Sequence, residues 1–256
     1  MHAPEIVASI SGLKPDPAHP WGATTQDACR WIRKRTRCVA LDAARSDLRA
    51  RELGRSARRD VGAMLRRTEL ELAGIDLWIP AEHYTNNEKS QRAMDTLHET
   101  IVLATELARL AGGRSRPMVS VTLPTGLGDA DRTAINHLGE RHGALIADHT
   151  PDGPPSMGSN IAGLVVGVDP ASCLMGGVNP EQRVHDAGAL RLTDANPSGR
   201  CVVASESSRL DLTAYAGACL TSGQRWIITD AWGIENAERA IDTAVHAWRE
   251  AIQLPL

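Results

Sequence analysis

Short apolar runs alternate with longer amphipathic ones along the whole chain, and this alternation limits what the sequence can fold into. Residues 5–12 (EIVASISG), 38–42 (CVALD), 75–80 (IDLWIP), 118–123 (MVSVTL), 144–148 (ALIAD), 164–169 (LVVGVD), 189–194 (ALRLTD) and 226–230 (WIITD) read as strands. Between them, residues 24–34, 51–68, 87–110, 130–141, 180–187, 210–220 and 234–252 carry helical spacing. In 51–68 the apolar stripe is Leu53, Ala57, Val61, Met64 and Leu65, and the pair Gly112-Gly113 ends the longest helix. Residues 149–159 (HTPDGPPSMGS) hold too much Pro and Gly to be regular. Apolar strands joined by helical crossovers imply a parallel sheet covered by helices. Eight such units in 256 residues predict one (β/α)8 TIM barrel, a single α/β domain over 1–256. The alternative, an open doubly wound sheet, would want a glycine-rich phosphate turn after the first strand. SISGLKP has one glycine and neither GxGxxG nor GKS/T.

Composition narrows the partners. The formal charge is −3, so no global basic field recruits nucleic acid or an anionic membrane, and the basic stretches 30–37 and 55–67 read as solvated helix faces. Phe is absent and Tyr occurs twice, so the core must be aliphatic. No run approaches the ~20 apolar residues of a membrane helix, and the first residues, MHAPEIVASISG, lack the pattern of a signal peptide. Five cysteines without a CxxC pair fit reduced thiols. Together these features predict a cytoplasmic location.

The acids carry the functional signal. The last four strands are apolar up to their C-terminal ends and there present Asp148, Asp169, Asp194 and Asp230. In a barrel those ends surround one mouth. Converging carboxylates repel unless a cation or protons lie between them. Each Asp alone is equally a strand-to-loop or helix-capping residue. His149 follows Asp148, and Arg191 stands two positions inside Asp194. Glu82 and His83 leave the third strand, as mouth residues or as a surface turn. Trp78 is a pocket floor or core, Trp232 is a mouth residue just after Asp230, and Asp42 is a weaker candidate for the same rim.

The order of elements and the segments GIDLWIPAEHY, ALIADH, VVGVDPASCLMGGVNPEQRV, ALRLTDA and RLDLTAYAGACLTSG resemble the xylose isomerase-like barrel superfamily. That group holds sugar and sugar-phosphate isomerases and epimerases, with some dehydratases and endonucleases. The likeness spans most of the chain and is diffuse. It implies one divalent metal held by a Glu, an Asp, a His and a Glu on strands five to eight, the two Glu residues also moving the substrate proton. Those positions fall on Asp148, Asp169, Arg191 and Asp230. Two acids are shortened, and a guanidinium has no lone pair to offer a metal. Arg191 would instead neutralise Asp169 or Asp230, or grip a substrate oxyanion. In SESSRLD, Ser205, Ser207 and Ser208 stand where comparable family segments have the glycines of a closing loop.

The resemblance therefore implies an isomerase or epimerase acting on a small polar sugar-type or sugar-phosphate molecule by proton transfer beside a carbonyl. Asp148 and Asp230 would be the acid/base pair with His149. Asp148, Asp169 and Asp230 would hold a metal (Mn, Mg, Zn or Co), with the absence of any metal equally open. Arg191, Glu82, His83, Asp194 and Trp232 would contact substrate. A catalytically degenerate barrel serving as a small-molecule binding or assembly protein is the rival. A multi-zinc endonuclease is disfavoured, since the mouth offers only His83 and His149 and the charge is negative. Barrels of this superfamily often pair, so the resemblance allows a homodimer.

Overall fold

The computed structural model describes residues 3–151 and 163–253. In it β1 (Glu5–Ser9), β2 (Cys38–Asp42), β3 (Glu71–Asp76), β4 (Met118–Val121), β5 (Leu145–Asp148), β6 (Leu164–Val168), β7 (Ala187–Arg191) and β10 (Trp226–Thr229) close a parallel barrel. Neighbours in the ring are neighbours in the chain, and β10 pairs with β1 (Glu5 opposite Trp226) to complete it. A short antiparallel hairpin, β8 (Asp194–Asn196) and β9 (Gly199–Cys201), stands at the C-terminal end after β7.

The crossover helices include α1 (Thr25–Arg33), α2 (Arg55–Arg67), α3 (Ser90–Ala111), α4 (Asp129–His142), the short α5 (Pro170–Met175) and α6 (Pro180–Arg183), α7 (Leu212–Thr221) and α8 (Ala237–Ala251). Their ends follow the local sequence. Thr24 caps α1 by accepting from the Asp27 amide. Gly112 closes α3 with φ 82°, in the left-handed region where a residue without Cβ is favoured. Among the described residues no helix is long and apolar enough to cross a membrane.

Two apolar clusters hold the fold together. The larger lies between strands and helices and is aliphatic, with Trp31 and Trp248 among its few rings. The smaller fills the barrel interior with Val7, Cys38, Ala40, Ala73, Met118, Ala147, Ala189, Trp226 and Ile228. Met118 and Trp226 open their strands, so bulk sits at the N-terminal end while alanines line the middle. An eight-stranded ring has room for little more.

The structure departs from the sequence expectation in three places that matter. The third strand is Glu71–Asp76 rather than 75–80, because the chain turns at Glu69 (φ 52°) after α2 and enters the ladder at once, with Pro80 well beyond it. The seventh strand ends at Arg191, and Asp194 opens the hairpin, whose turn is carried by NPSG. Asp169 stands at the N-cap position of α5, a helix that the sequence does not predict; Pro170 follows at the first helical position. The irregular segment expected at 149–159 lies outside the described residues from 152 onward.

Candidate active site

Side chains on a strand alternate between two faces. Counting in twos from the interior residues toward the C-terminal ends therefore names the mouth: Ser9 from Val7, Asp42 from Ala40, Ser120 from Met118, His149 from Ala147, Arg191 from Ala189 and Asp230 from Ile228. Asp169 follows Val165 in the same way. In β3 the pairing with β2 slips by one residue between Val39 and Ala40, which places Asp76 opposite Asp42. All of these except Asp42 are buried, and Asp42 is half-buried.

Arg191 is the centre of this ring and is fully buried. Its Nη2 donates to Asp76 Oδ1 at 2.7 Å, and its Nη1 lies 3.4 Å from Asp230 Oδ2. Ser9 Oγ donates to the other Asp76 oxygen at 2.5 Å. The Arg191 guanidinium also lies 4.7 Å from the Trp78 ring, whose indole N–H donates to Ser11 Oγ at 3.0 Å. Tyr215, buried beneath, donates its hydroxyl to the Arg191 carbonyl at 2.9 Å.

A second arginine reaches in from the hairpin. Arg200 Nη1 donates to Asp169 Oδ2 at 2.9 Å, and its Nη2 donates to Asp230 at 2.9 and 3.1 Å. Asp169 also accepts from the Ser172 hydroxyl at 2.8 Å and from the Thr193 hydroxyl. Asp230 accepts from the Trp232 amide at 2.8 Å. The Trp232 ring is 51 % exposed, 5.7 Å from the Arg200 guanidinium and 6.3 Å from Trp78. Burial opposes ionisation of Asp169, but Arg200 and Arg191 outweigh it and hold the carboxyl well below the usual carboxylate range. Burial also opposes the charge on Arg200, and Asp230 and Asp169 more than restore it.

His149 is fully enclosed. Burial, aided by the charge of Arg191, pushes its imidazole down to about 3, so the ring is neutral at physiological pH. It lies over Gly167, where a Cβ would come within 2.4 Å of the ring, and 6.1 Å from Trp78. Both ring nitrogens, together with Nε of Arg191 and of Arg200, are buried and have no protein partner. Asp42 has no guanidinium in direct contact among the described residues. Burial, against the Ala44 amide that donates to it at 2.8 Å, and then the charge of Asp76 push its carboxyl up to about 6.

Several expected site residues stand elsewhere. Asp148 is one position out of phase with Ala147 and turns away from the mouth. It accepts from the amides of Leu123 (3.0 Å) and Thr150 (3.1 Å) and lies 3.4 Å from Arg132 of α4. Asp194 is likewise out of phase and gathers the chain after the hairpin, accepting from the amides of Arg209 (3.2 Å) and Leu210 (3.1 Å) and from the Ser208 hydroxyl. Both acids organise loops. Glu82 is exposed, and His83 faces Lys89 at 3.3 Å; both lie on a 3₁₀ turn, Ala81–Tyr84. Asp169, Arg191, Asp230, His149 and Trp232 do converge, and Asp76, Ser9 and Arg200 join them.

This donor set does not fit a divalent metal. Asp148 is withdrawn, Arg191 occupies the histidine position, and Asp169 and Asp230 already share a guanidinium. Among the described residues no group of three or more His, Cys, Asp or Glu could hold an ion.

No protein-family model matches the chain, and no curated protein does. Solved structures do. A D-tagatose 3-epimerase-like protein superposes with a TM-score of 0.67 at 14 % identity, over 97 % of this chain and 98 % of that one. A xylose isomerase-like TIM barrel protein from Mycobacterium smegmatis, in complex with magnesium, gives 0.64 at 11 % identity over 99 % and 98 %. A sugar phosphate isomerase/epimerase from Parabacteroides distasonis gives 0.62 at 12 % identity over 98 % and 95 %. The chain also spans 42 % of a xylose isomerase-like TIM barrel/4-hydroxyphenylpyruvate dioxygenase fusion protein. The chain thus has the fold of xylose isomerase-like TIM barrels.

Proposed function

We propose that this barrel binds a small, polar, sugar-type molecule at its C-terminal mouth without a divalent metal, the positive charge being built in as arginine. The observation that carries the proposal is Arg200, whose guanidinium bridges Asp169 and Asp230, the two metal-ligand positions of the family resemblance that still face the mouth. The Nε–H groups of Arg191 and Arg200 and the neutral His149 ring are buried without a protein partner, so a polar molecule that enters the mouth past Trp232 would satisfy donors and an acceptor the fold leaves unpaired. Trp78 and Trp232 offer the apolar ring faces on which a sugar's C–H groups pack.

A second reading, isomerase or epimerase chemistry, is favoured by Asp42. Removal of a proton beside a carbonyl needs a carboxylate poised near neutrality. Asp42, at about 6, meets that need better than Asp148, which faces away, or Asp230, which is clamped by arginine. Arg191 and Arg200 would then stabilise the developing oxyanion.

The experiment is a thermal-shift titration of the purified chain with neutral ketohexoses, in EDTA and again with Mg2+ or Mn2+. The expected result is stabilisation by sugar that is indifferent to metal and is lost in Trp232→Ala. Stoichiometric Mn2+ binding that disappears in Asp169→Ala would overturn the metal-free reading. Exchange of solvent deuterium into the sugar, abolished by Asp42→Asn, would select the enzyme over the binder.

A further inference from the structure

We infer that the outer face of α3 and α4, remote in composition from the mouth, carries a two-histidine chelating site for a borderline divalent transition ion such as Cu2+, Ni2+ or Zn2+. His98 of α3 and His142, the last residue of α4, face each other with Nε2 atoms 3.2 Å apart and ring centroids 5.1 Å apart. With metal–nitrogen bonds of about 2.0–2.1 Å, two imidazoles on a tetrahedral ion hold their donor atoms about 3.3–3.4 Å apart, and on a square or octahedral ion about 2.9 Å. The observed spacing lies between those limits.

The pair is held in place by the fold. Thr105, two turns after His98 on the same face of α3, donates its hydroxyl to the His142 carbonyl at 3.2 Å. Gly143 closes α4 immediately afterwards in the left-handed conformation. These contacts fix the backbone that carries His142 beside α3. The two rings, hydrogen-bonded to each other through Nε2, turn so that both lone pairs meet the ion in place of the shared proton.

The electrostatics suit a cation that displaces protons. Burial, His98 and Arg141 all lower the affinity of His142 for a proton, leaving its nitrogen lone pair available near neutrality. The site lies at the C-terminus of α4, where exposed carbonyls present the negative end of the helix dipole. Among the described residues no third His, Cys, Asp or Glu completes the shell, so water fills it. Imidazole ligands with open positions select Cu2+ over Ni2+ and Zn2+ and reject Mg2+. The ion would clip α3 to α4 and stabilise the barrel.

The test titrates Cu2+, Ni2+ and Zn2+ into the untagged full chain near pH 7.5, followed by calorimetry and, for Cu2+, by electron paramagnetic resonance. We expect one equivalent of Cu2+ with two nitrogen donors and a raised Tm. Either His98→Ala or His142→Ala weakens it by about tenfold or more, while Asp169→Ala and the exposed control His246→Ala leave it unchanged. The inference is overturned if the tightest ion survives both histidine substitutions, or if the wild-type chain binds no more tightly than His98→Ala. Because the substitutions are on the surface, folding of the variants is checked directly by their unliganded Tm.

Discussion

Nη1 of Arg200 lies 2.9 Å from Oδ2 of Asp169, so a hairpin side chain supplies the positive charge between the ends of β6 and β10. Its other nitrogen bonds Asp230 at 2.9 Å. Removing one member of a buried charge network leaves the rest uncompensated, at a typical loss of ~3–5 kcal/mol. Arg191 remains near Asp230, so Arg200→Met is expected to fall toward the lower end of that range. Chemical denaturation should show a reduced midpoint with an unchanged slope. Arg200→Lys should recover only part of the loss, since one ammonium cannot bridge two carboxylates as a planar fork does. Full recovery by Lys would refute the bridging geometry.

Asp148 and Asp169 both end apolar strands, yet they make opposite predictions. Asp148 accepts the amides of Leu123 and Thr150 outside the mouth. Asp148→Ala should therefore destabilise the chain by ~1–3 kcal/mol through lost loop hydrogen bonds while leaving the thermal response to sugar intact. Asp169→Ala should remove that response, because Arg200, left with Asp230 alone, loses the bridge that sets its guanidinium across the mouth. A matched titration of the two variants decides between these roles; loss of sugar binding in Asp148→Ala would return Asp148 to the mouth.

The barrel was legible because eight apolar runs with helical connections leave few other solutions, and the pull of the strand ends toward one mouth was legible with it. The identity of the mouth residues was only half legible, and the reason is phase. Asp148 and Asp194 mark strand ends, but period-two counting from Ala147 and Ala189 puts His149 and Thr193 inside instead. That signal was present in ALIADH and ALRLTD. Asp76 was also readable as a lone charge within an apolar run, although the register slip beside Ala40 had to be known before its face could be. Arg200 left no local signature: its place depends on a hairpin of two three-residue strands folding back over the barrel, a tertiary event that no spacing encodes.

The closed environment of His149 makes the fold sensitive to acid. Its folded-state pKa, about 3, lies below the ordinary value of 6.5. Between those limits the unfolded chain binds more protons than the folded one, so stability falls as pH drops from about 6.5 toward 3. Asp169, depressed as well, adds to the loss below the ordinary carboxylate pKa. His149→Gln should flatten the stability profile between pH 6.5 and 4 by an amount on the order of 2–3 kcal/mol. Nitrogen NMR of the wild-type imidazole should show a neutral ring at pH 5; a titration midpoint near 6.5 would mean that the ring is open to solvent. Gly167→Ala, whose Cβ would meet the ring at 2.4 Å, should displace it and restore ordinary titration.

Asp42 has the opposite sign. Its carboxyl is raised from 3.8 to about 6 by burial and by Asp76, so the folded chain holds the extra proton between those values. Ionisation of Asp42 therefore costs stability as pH rises through 6, and the cost persists at neutral pH. Asp42→Asn keeps an oxygen to accept the Ala44 amide and removes the charge. Because Asp42 is half-buried, solvent screening reduces the gain, and the variant should be more stable than wild type by about 1–2 kcal/mol at pH 7.5 and equal to it at pH 4. Denaturant midpoints at the two pH values measure this directly. The same substitution should spare sugar binding if the barrel is only a binder. It should abolish proton exchange if Asp42 is the base, so one variant gains stability at the same carboxylate where chemistry would be lost. A variant no more stable than wild type at pH 7.5 would show that burial and Asp76 do not raise the Asp42 carboxyl in the folded chain, and would remove the ground for reading it as the base.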